Sequence, residues 1–147
     1  MFKAFAAMVP LLLVGCLSYN VEPYGKFDLS KKTMTVSRGG DGLLGTIKRA
    51  LRKDGWKLSV DRGPRTSEAT VTTDGSKVEE FDTFHTKYRI SVDDRWVDLS
   101  LSGDGIYRYD ISIVDNDTGE EILTMHGRGS ESTIAERLIQ AIKDNAR

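Results

Sequence analysis

The chain has one cysteine, two histidines and three prolines in 147 residues, and beyond its first sixteen positions it has no long apolar run. Each scarcity excludes something. With Cys16 alone there is no internal disulfide and no multi-thiolate metal site. His85 and His126 lie far apart, without an HExxH pair or a third ligand at useful spacing, so no metal centre is expected. No Gly-x-Ser-x-Gly elbow occurs among the many serines. Nor is there an excess of one charge: 21 basic residues face 22 acidic ones, for a net charge of −1. That balance argues against a general nucleic-acid binder, which carries a strongly basic face. Asp115-Asn116-Asp117-Thr118-Gly119-Glu120 fails as a calcium loop, because Gly119 falls where a ligand belongs and His126 stands at the twelfth position instead of Glu.

What the chain does have is a distinctive start. Lys3 precedes an apolar stretch, Ala4 to Val14, that ends at Gly15 and Cys16. Eleven or so residues are too short for a bilayer core, which takes about 20 in a helix. A charged start, a short apolar centre and a small residue at the end form a secretory signal. Leu13-Val14-Gly15-Cys16 resembles the lipobox of bacterial lipoproteins. The resemblance implies cleavage after Gly15 and acyl chains on Cys16 through thioether and amide links, with no other cofactor. Leu17, where enteric lipoproteins kept at the inner membrane have Asp, implies the outer membrane, facing the periplasm. The expected domains are a signal peptide over 1–15, a lipidated cysteine and flexible tether over 16–30, and one domain over 31–147.

From Thr33 the hydrophobic pattern predicts a single α+β unit. A short β-prone run, Thr33 to Arg38, leads into Gly39-Gly40-Asp41-Gly42 and a helix with Leu43, Ile47, Ala50 and Leu51 at the helical period, ended by Gly55. Strands follow at Trp56–Asp61, Ala69–Thr73, Phe84–Val92, Val97–Leu101, Tyr107–Ile113 and Glu121–His126. Thr133-Ile134-Ala135-Glu136 fits a capping box opening a final helix, with Ile134, Leu138, Ala141 and Ile142 buried. The expected architecture is an antiparallel meander of about six to seven strands with two helices on one face. The element order is similar to that of small periplasmic α+β lipoprotein domains.

Three constellations invite chemistry. Gly40-Asp41-Gly42-Leu43-Leu44-Gly45 satisfies G-x-G-x-x-G between a strand and a helix, with Asp61 about 20 residues on. The antiparallel meander that follows and the carboxylate of Asp41 oppose a dinucleotide site, so the loop reads as a tight bend with Asp41 capping the helix. Asp98 and Asp110 would oppose each other if Gly103-Asp104 centres a hairpin, at the spacing of a retaining glycosidase pair. An open sheet has nothing to desolvate them, so no catalytic residue is expected. Lys48, Arg49, Arg52 and Lys53 form one basic stripe on the first helix, a candidate surface for an anionic partner. Glu79-Glu80-Phe81-Asp82 reads as a solvated loop.

The expectation is a non-enzymatic, membrane-anchored envelope lipoprotein. It would bind an envelope protein or glycan, and not nucleic acid, through the basic helix face, a sheet edge or the polar face of the meander. The alternatives are an immunity or inhibitor lipoprotein against an exported toxin or hydrolase and, behind it, a glycan hydrolase using Asp98 and Asp110.

Overall fold

A computed structural model describes residues 18–61 and 85–147. The signal segment with Gly15 and Cys16, the expected strand at Ala69–Thr73, the acidic run Glu79–Asp82 and Phe84 lie outside the described residues. Eight elements follow one another: β1 (Tyr19–Pro23), β2 (Thr33–Val36), α1 (Gly42–Lys53), β3 (Lys57–Val60), β4 (Tyr88–Leu99), β5 (Gly105–Asp115), β6 (Glu121–Ser130) and α2 (Glu131–Asp144). They form one six-stranded sheet in the order β1-β6-β5-β4-β2-β3.

The fold is α+β, but the sheet is mixed where a purely antiparallel meander was expected. β4, β5, β6 and β1 pair antiparallel, whereas β2 runs parallel to both β3 and β4. For β2 and β3 the cause is the connection. A 12-residue helix between β2 and β3 carries the chain back to the end from which β2 started, and a returned chain pairs parallel.

Both helices lay their apolar stripes on one face. Leu43, Ile47 and Leu51 of α1 and Ile134, Leu138 and Ile142 of α2 meet Met34, Ile90, Ile111, Ile113, Leu123 and Met125 of the sheet in one buried cluster. Burying each of these side chains contributes about 1.5–3 kcal/mol before entropy is subtracted. α1 ends in a Schellman turn, with Trp56 N–H donating to Leu51 C=O and Gly55 N–H to Arg52 C=O. Asp41 does stand at the N-cap of α1, but its side chain accepts no hydrogen bond from the helix. The cap of α2 lies three residues before the expected one: the Ser130 hydroxyl accepts from Thr133 N–H at 3.4 Å.

The expected tether is mostly fold. β1 pairs with β6 from Tyr19 to Pro23, and the Arg137 guanidinium lies 3.9 Å from the Tyr19 ring centroid. Phe27 is fully buried against Trp56 and Tyr88, with ring centroids at 6.5 and 5.3 Å. Its backbone bonds the C-terminus both ways, N–H to Asn145 C=O and C=O from Arg147 N–H. Asp28 N–H donates to the buried Tyr88 hydroxyl at 2.7 Å. The folded unit therefore includes Tyr19–Pro23 and Phe27, ahead of the boundary expected at 31.

β4 is likewise one strand of 12 residues where two were expected. Its first half is inside, with Tyr88 and Ile90 buried, but everything from Asp93 to Leu99 is exposed. Val97, Leu99 and Leu101, expected from the sequence to form a strand of their own, are exposed.

Candidate functional site

Alternation places half of each strand's side chains on the face that carries no helix. Across the middle of that face the register brings like residues together. Arg95 of β4 pairs with Arg108 of β5, which pairs with Arg128 of β6. Two positions further along the strands, Asp93 pairs with Asp110, Asp110 with His126, and His126 with Asn20 of β1. All of these side chains but Asn20 line an open groove of about 1060 Å³ that reaches Ser18 at the sheet edge.

Directly opposed residues on adjacent strands have Cβ atoms about 4.5–5.5 Å apart, so three guanidinium groups occupy a row roughly 10 Å long. All three arginines are exposed. Among the described residues no carboxylate comes within ion-pair distance of any of them, although the aspartate row is the next one along. Like charges directly opposed destabilise a sheet. Such a row offers forked donors that match carboxylate and phosphate oxygens, and it holds no nucleophile.

On the inner side of the same strand end, the pKa of Asp94, exposed though it is, is raised by desolvation from its neighbours and by the charges of Asp93 and Glu131. Glu131 accepts from the Thr46 hydroxyl at 2.8 Å.

The residues singled out from the sequence are scattered. The basic stripe of α1 is broken, because Lys48 is buried and its ammonium donates to the Gly39 carbonyl. Burial, and then the Arg52 charge, depress its pKa. Lys48 thus pins the glycine loop to the helix. Arg49 donates to the Thr46 hydroxyl at 2.7 Å, which leaves Arg52 and Lys53 as plain exposed cations. Gly45 also has a packing role: a Cβ there would stand 1.9 Å from the Gly40 carbonyl oxygen.

Asp98 and Asp110 do not face each other. Asp98 pairs with Ile106, and Asp110 with Asp93. A five-residue loop and an irregularity between Trp96 and Asp98 shift the register away from a hairpin centred on Gly103-Asp104. Asp98 instead accepts the Leu99 N–H at 2.8 Å. His85 is exposed three residues before β4, remote from His126. Among the described residues no group of three or more His, Cys, Asp or Glu could hold a metal ion, and no helix is long and apolar enough to cross a membrane.

Sequence reasoning missed the arginine row as a unit. Counting back from the turn at Asp115–Gly119 would pair Arg108 with His126, and an irregularity between Ile113 and Val114 helps bring Arg108 opposite Arg128 instead. A miscount of one residue sends every side chain to the other face.

No protein-family model matches the chain, and neither does any curated protein. Solved structures do. A PelC dodecamer from Paraburkholderia phytofirmans superposes with a TM-score of 0.50 at 12% identity, over 88% of this chain and 98% of that one. A point variant of the same dodecamer, in another crystal form, gives the same TM-score, identity and coverage. At that identity the likeness is one of fold: this chain has a PelC-like α+β fold.

Proposed function

We propose that the protein is an envelope lipoprotein, anchored through acyl chains on Cys16, whose folded domain works as a non-enzymatic binding or assembly module. The observation that carries this reading is the tetrad Leu13-Val14-Gly15-Cys16 lying immediately ahead of the fold, which begins by Tyr19. From Cys16 to Ser18 the chain can reach about 7 Å at most. An acylated Cys16 would therefore hold the domain against the lipid surface, without the long tether expected from the sequence. Confinement of that kind raises the effective concentration of the domain near any partner in the same membrane, so modest contacts suffice.

Intact mass tests the anchor. The mature protein is expected to begin at Cys16 and to carry acyl mass, and a Cys16→Ser variant to lack it. A wild-type chain with an unmodified Cys16 overturns the reading.

A second copy of the chain is a natural first partner. The similar solved structures are dodecamers, and among the described residues the sheet ends in two edge strands, β1 and β3, each able to template another strand. Sedimentation of the detergent-solubilised protein is expected to give a mass well above that of the 16.4 kDa chain. A monomer at all concentrations would leave a different envelope component as the partner.

A further inference from the structure

We infer that the row Arg95, Arg108 and Arg128 on the open face of the sheet binds the phosphates of anionic phospholipid headgroups and seats the domain on the membrane by its β4–β5 end. The choice of a membrane as the source of those phosphates rests on the anchoring proposed above; the row itself rests on the register alone.

Three features converge on that end of the molecule. The first is the row: three opposed, exposed guanidinium groups with no carboxylate in ion-pair distance among the described residues, whose modest mutual repulsion an anion lying over them would relieve. The second is the point at which the chain enters the fold. Arg128 N–H donates to the Ser18 carbonyl at 3.2 Å, so the row ends on the residue two positions after Cys16. The close approach there is built in, because a Cβ on Gly127 would stand 2.5 Å from the same Ser18 oxygen.

The third feature is the turn between β4 and β5. Beyond the arginine row the strands run on to Leu99 and Leu101, 61% and 111% exposed, at the tip of the hairpin. Leu99 pairs with Gly105, three residues from Arg108 along β5, or about 10 Å beyond the arginine row. That distance compares with the polar headgroup layer, about 5–8 Å thick on each side of a bilayer, once the strand is tilted. Leucines at acyl depth and arginines at phosphate depth are the arrangement an interfacial protein surface adopts.

The aspartates are not sorted in the same way: Asp93 and Asp110 lie about 7 Å further from the tip than the arginines, whereas Asp98 and Asp104 lie on the tip side, so the row and the leucines act against two nearby carboxylates. A free phosphate would need only the row; the apolar tip and the chain entry favour a lipid.

The test is co-sedimentation with vesicles. The chain from position 16 onward with Cys16→Ser contains every element of the fold and has no acyl chains, so any binding belongs to the protein surface. Binding is expected to phosphatidylglycerol/phosphatidylcholine vesicles, but not to phosphatidylcholine alone, and to weaken with salt. Each arginine near an anionic surface contributes about fivefold. Arg95→Gln, Arg108→Gln and Arg128→Gln combined should thus cost on the order of a hundredfold, with unchanged circular dichroism. The reverse change, Asp110→Asn, should tighten binding and reads the same surface if the triple variant is unstable. Equal binding by wild type and the triple variant, or no preference for phosphatidylglycerol, overturns the proposal. So does stabilisation by inorganic phosphate without any vesicle binding, which would make the row a site for a free anion. The anchor is judged separately by intact mass, so either result can fail while the other stands.

Discussion

The two faces of the sheet are made by alternate residues of the same strands, yet they are governed by different forces. On the face under the helices, Ile111, Ile113, Leu123 and Met125 are fully or almost fully buried, and the aromatic trio Phe27, Trp56 and Tyr88 closes the end beside β2. On the other face the neighbours of those same residues are Asp110, Arg108, His126 and Arg128. The covered face tolerates almost no polar group without a partner, since desolvation is costly. The open face tolerates three opposed arginines, because water and counterions screen them at a cost of only tenths of a kcal/mol per pair. A fold of this kind carries its stability on one side and leaves the other free to be chosen for binding.

The sharpest way to break that division is to remove a core side chain from the segment expected to be a tether. Phe27→Ala is expected to cost about 3–5 kcal/mol, seen as a lower denaturant midpoint. If residues 18–30 were only a tether, the change would be silent. Next comes the glycine loop. Gly45→Ala must push the Gly40 carbonyl aside and should cost about 1–3 kcal/mol by the same measurement, with no accompanying change in nucleotide affinity.

The third prediction concerns charge at the rim of the core. Lys87 joins Asp115 at 2.8 Å and Asp117 at 2.8 Å. Burial pushes the Asp115 carboxyl up, but the Lys87 ammonium and the N–H groups of Asp117 and Thr118 outweigh it, so its pKa is net lowered. A carboxyl with a lower pKa folded than unfolded adds stability above its unfolded value of about 3.9 and loses it as pH falls through the folded value. Thermal melts should therefore fall steeply below about pH 4. In Asp115→Asn part of that dependence should vanish, together with about 1–2 kcal/mol of stability at neutral pH.

The smallest effect is expected on the open face. Arg108→Gln relieves two like-charge contacts and should raise stability by about 0.2–1 kcal/mol while weakening binding to anionic vesicles. A loss of stability there would mean that the row is structural, and the contrast between the faces would fail.

How much of this was legible in the sequence varies from residue to residue. The helix stripes were, since Leu43, Ile47, Leu51, Ile134, Leu138 and Ile142 recur at the helical period and all six are buried. The alternation of Tyr88 and Ile90, and of Tyr109, Ile111 and Ile113, marked the covered face in the same way. β1 was not legible, because a five-residue strand with Asn20, Glu22 and Pro23 has little pattern of its own and is held by β6. Nor was the loss of Lys48 from the basic stripe, which depends on where the Gly39 carbonyl comes to rest. Asp98 and Asp110 were misplaced because a loop and a strand irregularity set their register, and neither has a sequence period.

By itself, then, the sequence determined the local periods, the glycine breaks, the near-neutral charge and the segment ending at Cys16, all of which follow from the chemistry of neighbouring residues. Tertiary structure alone decided that β2 runs parallel to its neighbours, that residues 18–30 belong to the fold, and that Arg95, Arg108 and Arg128 stand side by side. The physical reason is register. Which residues meet across a sheet is fixed by turns, irregularities and the packing of the opposite face, so three arginines well separated along the chain become one surface only once the core has locked the strands.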